Sequence, residues 1–436
     1  MHTLGWASDG WFAGLALAAY GLLLLWLVLM RTAKRDPAVM RFVRLGLAWH
    51  LATYLFVVLW LMPYYADLDE ADAYVYHHEA MKYASMIRSG DWDSIPLHVG
   101  TETTSLLTAL LYTPFGGNVY GAAFFSAVLG FIAALFFCRA LHPWCTRAEL
   151  RKYCRIAIFL PSIAMWTSIL GKDSWVALGL GLCAYGFSCA LKHRASRPLL
   201  YLFTGAAIVT MLRPHIALSC AVAMAFAYCW GMASSIRVSI LAKIVRTTVL
   251  AASLAAVTLI ARNYLSIQEL SGERIDSITR TVSNGNNIGG SAIGGDRDPD
   301  GGGMLSEAPR GVVRVLLEPF PWEVHNVNSG LASFENLLIA WFLLRYGRRP
   351  RMIWRAIVRQ PYLLFCFALA VELLLMFSIL PNLGLISRQR VQLLPFLFAV
   401  LVAAEATVRR AQGAPARRVP AARQARPAPV DLPVSC

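Results

Sequence analysis

Long apolar runs alternate along this chain with short polar connections. Eleven runs are long enough, or nearly so, to cross a bilayer: 11–30, 45–64, 117–138, 156–171, 174–191, 198–213, 216–233, 244–261, 331–344, 361–380 and 391–408. A span takes roughly 20 residues at 1.5 Å of rise each. Run 156–171 is short and carries Pro161, and 331–344 has Glu335 near its start. The pattern predicts an all-α polytopic membrane protein of about 11 transmembrane helices. Composition agrees, with 57% apolar and 15% charged residues and a mean hydropathy of +0.53, where a soluble domain is about a quarter charged.

The polar connections sort by charge. Loops 31–44, 139–155, 192–197, 234–246 and 345–359, with the segment from Arg409 onward, hold 28 of the 40 Lys and Arg residues. Short basic loops stay in the cytoplasm, so the N-terminus is expected outside and the C-terminus inside. The net charge of +15 follows from that bias and implies anionic lipid headgroups as partners, with no nucleic acid. Residues 409–436 are rich in Pro, Ala and Arg and are expected to form a disordered basic cytoplasmic tail, leaving 1–408 as the membrane domain. The nine cysteines all fall in spans or on the inner side, so no structural disulfide is predicted. The first span has no basic leader or small-residue cleavage site and reads as a retained helix. Together these features predict a multi-pass protein of the bacterial inner membrane.

Two outer, periplasmic loops are long, 65–116 and 262–330. In the first, Tyr74, Val75, His78, Met81 and Ser85 recur at helical spacing over 69–87, predicting an amphipathic helix on the membrane surface. In the second, 284–303 (NGNNIGGSAIGGDRDPDGGG) is too poor in apolar residues to order and is expected to be mobile. The segment 317–323 that follows is stiffened by two prolines and suited to the membrane interface.

With that topology every unusual charged group lands on the outer face. Asp67, Asp69, Glu70 and Asp72 crowd into six positions after the second span. Carboxylates crowded at a low-dielectric boundary tend to have one pKa raised, which suits a general base. At the start of a helix they are also ordinary dipole partners, and with His77 and His78 they offer ligands for a divalent metal, although none is required. Lys172-Asp173 sits in a tight turn between spans, as a local ion pair or with Lys172 as a phosphate ligand. Arg213-Pro214-His215 and Arg388-Gln389-Arg390 interrupt apolar sequence on the side where topology does not call for arginine. Guanidinium groups there match a phosphate bidentately, or snorkel to lipid phosphates.

These stretches resemble the GT-C class of integral-membrane glycosyltransferases, which take sugars from polyprenyl-phosphate carriers at the outer membrane face. The similarity rests on Asp69-Glu70-Ala71-Asp72-Ala73-Tyr74, on SLLTALLYTPFG at 105–116, and on Leu160-Pro161-Ser162 with Trp166-Thr167-Ser168 and Lys172-Asp173. It continues in Leu212-Arg213-Pro214, Pro319-Phe320-Pro321-Trp322-Glu323 and Arg388-Gln389-Arg390. The resemblance implies a transferase of cell-surface polysaccharide assembly acting on a glycan or lipid acceptor. Asp69 or Glu70 would be the base, with Asp67 beside them as a further candidate, and Lys172, Arg213 and Arg388 would hold the carrier phosphate; His215 and Arg390, next to those arginines, are further phosphate-binding candidates by position. Trp92 and Trp322 are candidates for stacking on sugar. Two alternatives remain: a polymerase or ligase of the O-antigen type using a lipid pyrophosphate, and a flippase for the lipid-linked saccharide. A transporter would place polar groups at mid-depth in several helices, where the sequence offers mainly His50.

Overall fold

The computed structural model describes residues 10–30, 37–67, 72–96, 98–192, 197–233, 304–324, 327–348, 350–378 and 383–411. The predicted span 244–261, the loop 284–303 and the tail beyond 411 lie outside them. The described residues form helices and no strands.

The first helices are α1 (Trp11–Met30), α2 (Pro37–Phe56), α3 (Met62–Asp67) and α4 (Asp72–Ser89), followed by α5 (Thr101–Tyr112) and α6 (Val119–Leu141). A π turn, Val57–Leu61, joins α2 to α3 just before Pro63, whose ring nitrogen cannot donate to the ladder. Then come α7 (Arg147–Phe159), α8 (Pro161–Thr167), α9 (Lys172–Lys192), α10 (Arg197–Leu212) and α11 (Pro214–Ala233). The last group is α12 (Met304–Leu317), α13 (Val327–Gly347), α14 (Pro350–Arg359), α15 (Pro361–Ser378), α16 (Leu383–Gln389) and α17 (Leu394–Ala411).

Five of the described helices are long and apolar enough to cross a membrane: Trp11–Leu29, Arg41–Tyr64, Val119–Trp144, Lys172–Lys192 and Pro361–Ser378. A sixth crossing is formed if Gly384–Gln392 and Leu394–Ala404, bent by 52°, count as one. The chain is therefore a helical membrane protein. The predicted runs 198–213 and 216–233 appear as the shorter apolar helices Pro198–Leu212 and Pro214–Trp230. Run 156–171 is not one helix: Leu160 is extended, and Pro161 opens α8 because its missing N–H is harmless in a first turn.

The helix expected over 69–87 is α4, but its packed face is not the expected one. Ala73, Tyr76, His77, Ala80, Tyr83 and Ala84 are buried against α5 and its surroundings, while Val75 is 57% exposed. Small residues at 73, 80 and 84 let α5 approach, and that shape outweighs the larger apolar side chains counted from sequence.

Small residues also set the helix packing of the bundle, as they do where lipid removes the hydrophobic drive between helices. Between α9 and α10, a Cβ on Gly205 would come within 2.5 Å of the Gly179 carbonyl oxygen, and one on Gly186 within 2.6 Å of the Leu202 nitrogen. Backbone cannot yield there. Gly205→Val is expected to destabilise the protein by about 1–3 kcal/mol or more, read as a lower thermal midpoint in detergent. A midpoint equal to wild type would show that the two helices separate freely.

Candidate anion-binding site

Four helices begin at one end of the bundle, and their first turns are tied together. Asp72 opens α4, Thr101 opens α5, Lys172 opens α9, and Pro214 opens α11 directly after Arg213. The Lys172 Nζ donates to Thr101 Oγ1 at 2.8 Å. The Gly100 amide, one residue before α5, donates to the Met211 carbonyl at 2.9 Å. Helix N-termini carry partial positive charge and unpaired N–H groups, so several of them meeting at one place favour an anion.

Charged side chains fill the junction. Arg213 Nη2 donates to Asp173 Oδ1 at 2.8 Å, and Arg388, at the end of α16, donates through Nε to Asp173 Oδ2 and through Nη1 to Asp72 Oδ2 at 2.7 Å. Asp173 is buried and clamped by two guanidinium groups, whereas the Asp72 side chain is 58% exposed. The Arg213 Nη1 is buried with no hydrogen-bond partner. His215 sits in the first turn of α11 within the electrostatic reach of Arg213 and Lys172.

Gly171 gives the cluster its closeness, since a Cβ there would lie 3.2 Å from Arg388 Nη2 and 3.6 Å from the Tyr76 ring. Tyr76, one turn into α4, is buried beside these charges. Burial, reinforced by the Asp72 carboxylate, pushes its phenol up to about 12, so it keeps its proton and can donate a hydrogen bond. Among the described side chains, Lys172, Arg213 and Arg388 oppose Asp72 and Asp173, an excess of one positive charge.

The structure thus brings together Lys172, Arg213, His215 and Arg388 of the predicted phosphate ligands. Arg390 is corrected: it is 1% exposed and turned into a separate inner cluster. There its Nη1 donates to Asn336 Oδ1 at 2.5 Å, and its Nη2 stands 4.0 Å from Glu335 Oε1. Glu335 Oε2 accepts from the Ser162 amide at 2.6 Å, taking up a free N–H in the first turn of α8. Asn336 Nδ2 donates to the Pro319 carbonyl at 3.0 Å. Glu335 and Arg390 lie near the ends of their apolar runs, so the cluster leaves the expectation of spans nearly free of charge at their centres as it stood. His50 is itself fully buried, with Nε2 3.2 Å from the Ile158 carbonyl.

Of the predicted acids, Asp69 and Glu70 lie outside the described residues, as does the side chain of Asp67, the last residue of α3. The acid that the described structure delivers to the cluster is Asp72, which the sequence singled out only as one of four. Tyr76, Thr101, Glu335 and Asn336 were not anticipated. Thr101 and Tyr76 carry no charge to mark them, and Glu335 was noted only as a blemish in an apolar run. Trp92 is exposed on the turn after α4, and among the described residues no contact joins it to the charged cluster. Trp322 is 77% exposed and stacks on Phe320, with centroids 4.8 Å apart and rings 9° from parallel. Among the described residues, no three His, Cys, Asp or Glu side chains converge as a metal site would require.

No protein-family model matches the chain, and comparison with curated proteins and with solved structures finds no match.

Proposed function

We propose that the protein is a membrane glycosyltransferase that moves a sugar from a polyprenyl-phosphate carrier to a glycan or lipid acceptor at the outer face of a bacterial inner membrane. In this reading the charged cluster faces the periplasm, the N-terminus is outside, the basic loops are inside, and the chain has about eleven spans. The observation that carries it is the junction of four helix starts with Lys172, Arg213 and Arg388, beside the accessible carboxylate of Asp72. A tie between helices would balance its charges. Here Lys172 is bonded only to a hydroxyl among the described contacts, and a donor of buried Arg213 is left over.

The reaction would be displacement at the anomeric carbon, with the acceptor hydroxyl attacking and the phosphate leaving with the bond electrons. A phosphate leaving group needs charge stabilisation more than a proton, which Lys172 and Arg213 supply. Asp72 would take the acceptor proton. Trp322 has an outer face free to stack on a sugar ring. The surplus of one positive charge among the described side chains matches the single charge of a sugar phosphodiester better than a pyrophosphate, which favours this reading over the polymerase or ligase alternative. Transport finds one favourable observation, the polar Arg390–Glu335 cluster, but several of its polar atoms are sealed from any passage.

Binding of a short-chain polyprenyl monophosphate to the full chain in nanodiscs tests the reading. Lys172→Met is expected to weaken that binding about tenfold or more, since a hydrogen bond to a charged group contributes about 1.5–3 kcal/mol. Unchanged binding removes Lys172 from the site. A polyprenyl pyrophosphate binding more tightly than the monophosphate would favour the polymerase or ligase instead.

A further inference from the structure

The inner cluster touches three chain segments: one carries the stacked Phe320 and Trp322, one lies two residues from Arg388, and one opens α8. Asn336 and Glu335 are adjacent on α13, both 3% exposed. Through the Pro319 carbonyl, Asn336 holds the segment that presents the stacked Phe320 and Trp322. Through Arg390, it holds the turn that carries Arg388 two residues earlier. Through the Ser162 amide, Glu335 holds the start of α8, which ends at Thr167, five residues before Lys172 opens α9. Both ends of the Asn336 amide are used, one donating and one accepting, so no rotation of that group satisfies both neighbours in another way.

The cluster is a poor device for stability alone. The Arg390 Nε, Glu335 Oε1 and Ser162 Oγ are buried without a hydrogen bond, Glu335 Oε1 having only the Arg390 guanidinium at 4.0 Å, and polar groups left short of hydrogen bonds among apolar helices oppose folding. An apolar residue at each position would pack the helices without that penalty. What the polar cluster adds is register: hydrogen bonds fix three independent segments against one helix, where apolar packing allows sliding.

We infer that Asn336 is a positioning residue for the transfer reaction: it sets the aromatic plate of Phe320 and Trp322 in fixed register with Arg388. This rests on the glycosyltransferase reading above. Saccharide bound on the plate would then lie at a constant distance from the phosphate held by the cations. Glu335 fixes the start of α8, the helix that precedes the Lys172-Asp173 turn.

Hydrogen–deuterium exchange on the full chain in nanodiscs, read by mass spectrometry, separates this role from general packing. Asn336→Leu removes both bonds and is expected to raise exchange several-fold in two places, 320–324 and 388–393. Asn336→Asp keeps an acceptor for Arg390 but loses the donor to Pro319. It is expected to raise exchange at 320–324 alone. In the native host, both variants should reduce surface polysaccharide at least tenfold at unchanged membrane level. Equal effects of the two variants on both segments, or on neither, would overturn the inference, because loosened packing does not distinguish a donor from an acceptor.

The exchange measurement does not depend on the reaction. If it splits as expected while both Asn336 variants give normal polysaccharide, and Asp72→Asn abolishes it, the positioning role falls and the transferase reading stands. If Asp72→Asn and Lys172→Met also leave polysaccharide intact, the transferase reading falls and takes the positioning role with it.

Discussion

Replacing Asp72 by Asn is expected to leave the protein in the membrane at its normal level and to lower sugar transfer by about 10²–10⁴-fold, the usual contribution of a general base. The two halves of that expectation come from different observations. The Asp72 side chain is 58% exposed, so its ion pair with Arg388 is screened and contributes at most about 1 kcal/mol to stability. Arg388 also keeps its second partner, Asp173, in the variant. Function is another matter, because a carboxamide cannot accept the acceptor's proton. The measurement is complementation of surface polysaccharide in the native host, with membrane levels determined for each variant. Asp69→Asn and Glu70→Gln belong in the same series. If either of them removes the glycan and Asp72→Asn does not, the base lies in 68–71 and Asp72 is only a partner for Arg388.

Asp173→Ala is expected to damage folding before function is reached. Its carboxylate accepts from Arg213 and Arg388 and is buried at 3% exposure. Among the described residues, its removal leaves Arg213 with no ion-pair partner and Arg388 with Asp72 alone. Breaking a buried pair by deleting one partner typically destabilises by about 3–5 kcal/mol. The variant should unfold at a clearly lower temperature in detergent and accumulate poorly in the membrane. The double variant Asp173→Leu with Arg213→Met should recover much of that stability, since apolar replacement of both partners is often close to neutral, yet remain inactive for want of the Arg213 cation. A stable Asp173→Ala single variant would mean that water reaches the cluster and screens it, and the low-dielectric account of the site would have to be given up.

The site was legible in the sequence to different depths at different residues. Lys172, Arg213 and Arg388 were visible because a cation at the end of an apolar run, on what the charge bias makes the outer side, is not called for by topology. Arg390 carried the same signal and the wrong meaning. In the short turn that joins α16 to α17, Arg388 and Arg390 face different neighbours, and sequence spacing does not reveal which one meets the site. Asn336 gave no signal at all, because an amide in an apolar run is notable only once both of its ends are seen to be bonded. The face of α4 was misread for a related reason. Counting large apolar side chains finds the greasy face of a helix, whereas Ala73, Ala80 and Ala84 show that the packed face can be the one small enough to let a neighbour approach.

What the sequence determined by itself was the class of molecule: a helical membrane protein whose unusual charges lie at the ends of apolar runs. That follows from local physics, since a bilayer demands stretches of about 20 apolar residues with their backbone bonded internally. Tertiary structure alone decided which charges meet. Asp72, Asp173, Arg213 and Arg388 come from four connections spread over more than 300 residues of chain. Close packing of α9 on α10 at Gly205 and the absence of a side chain at Gly171 let Asp173, Arg213, Arg388 and Tyr76 come together. No local pattern encodes that meeting, because it depends on distances between segments that share no sequence neighbourhood.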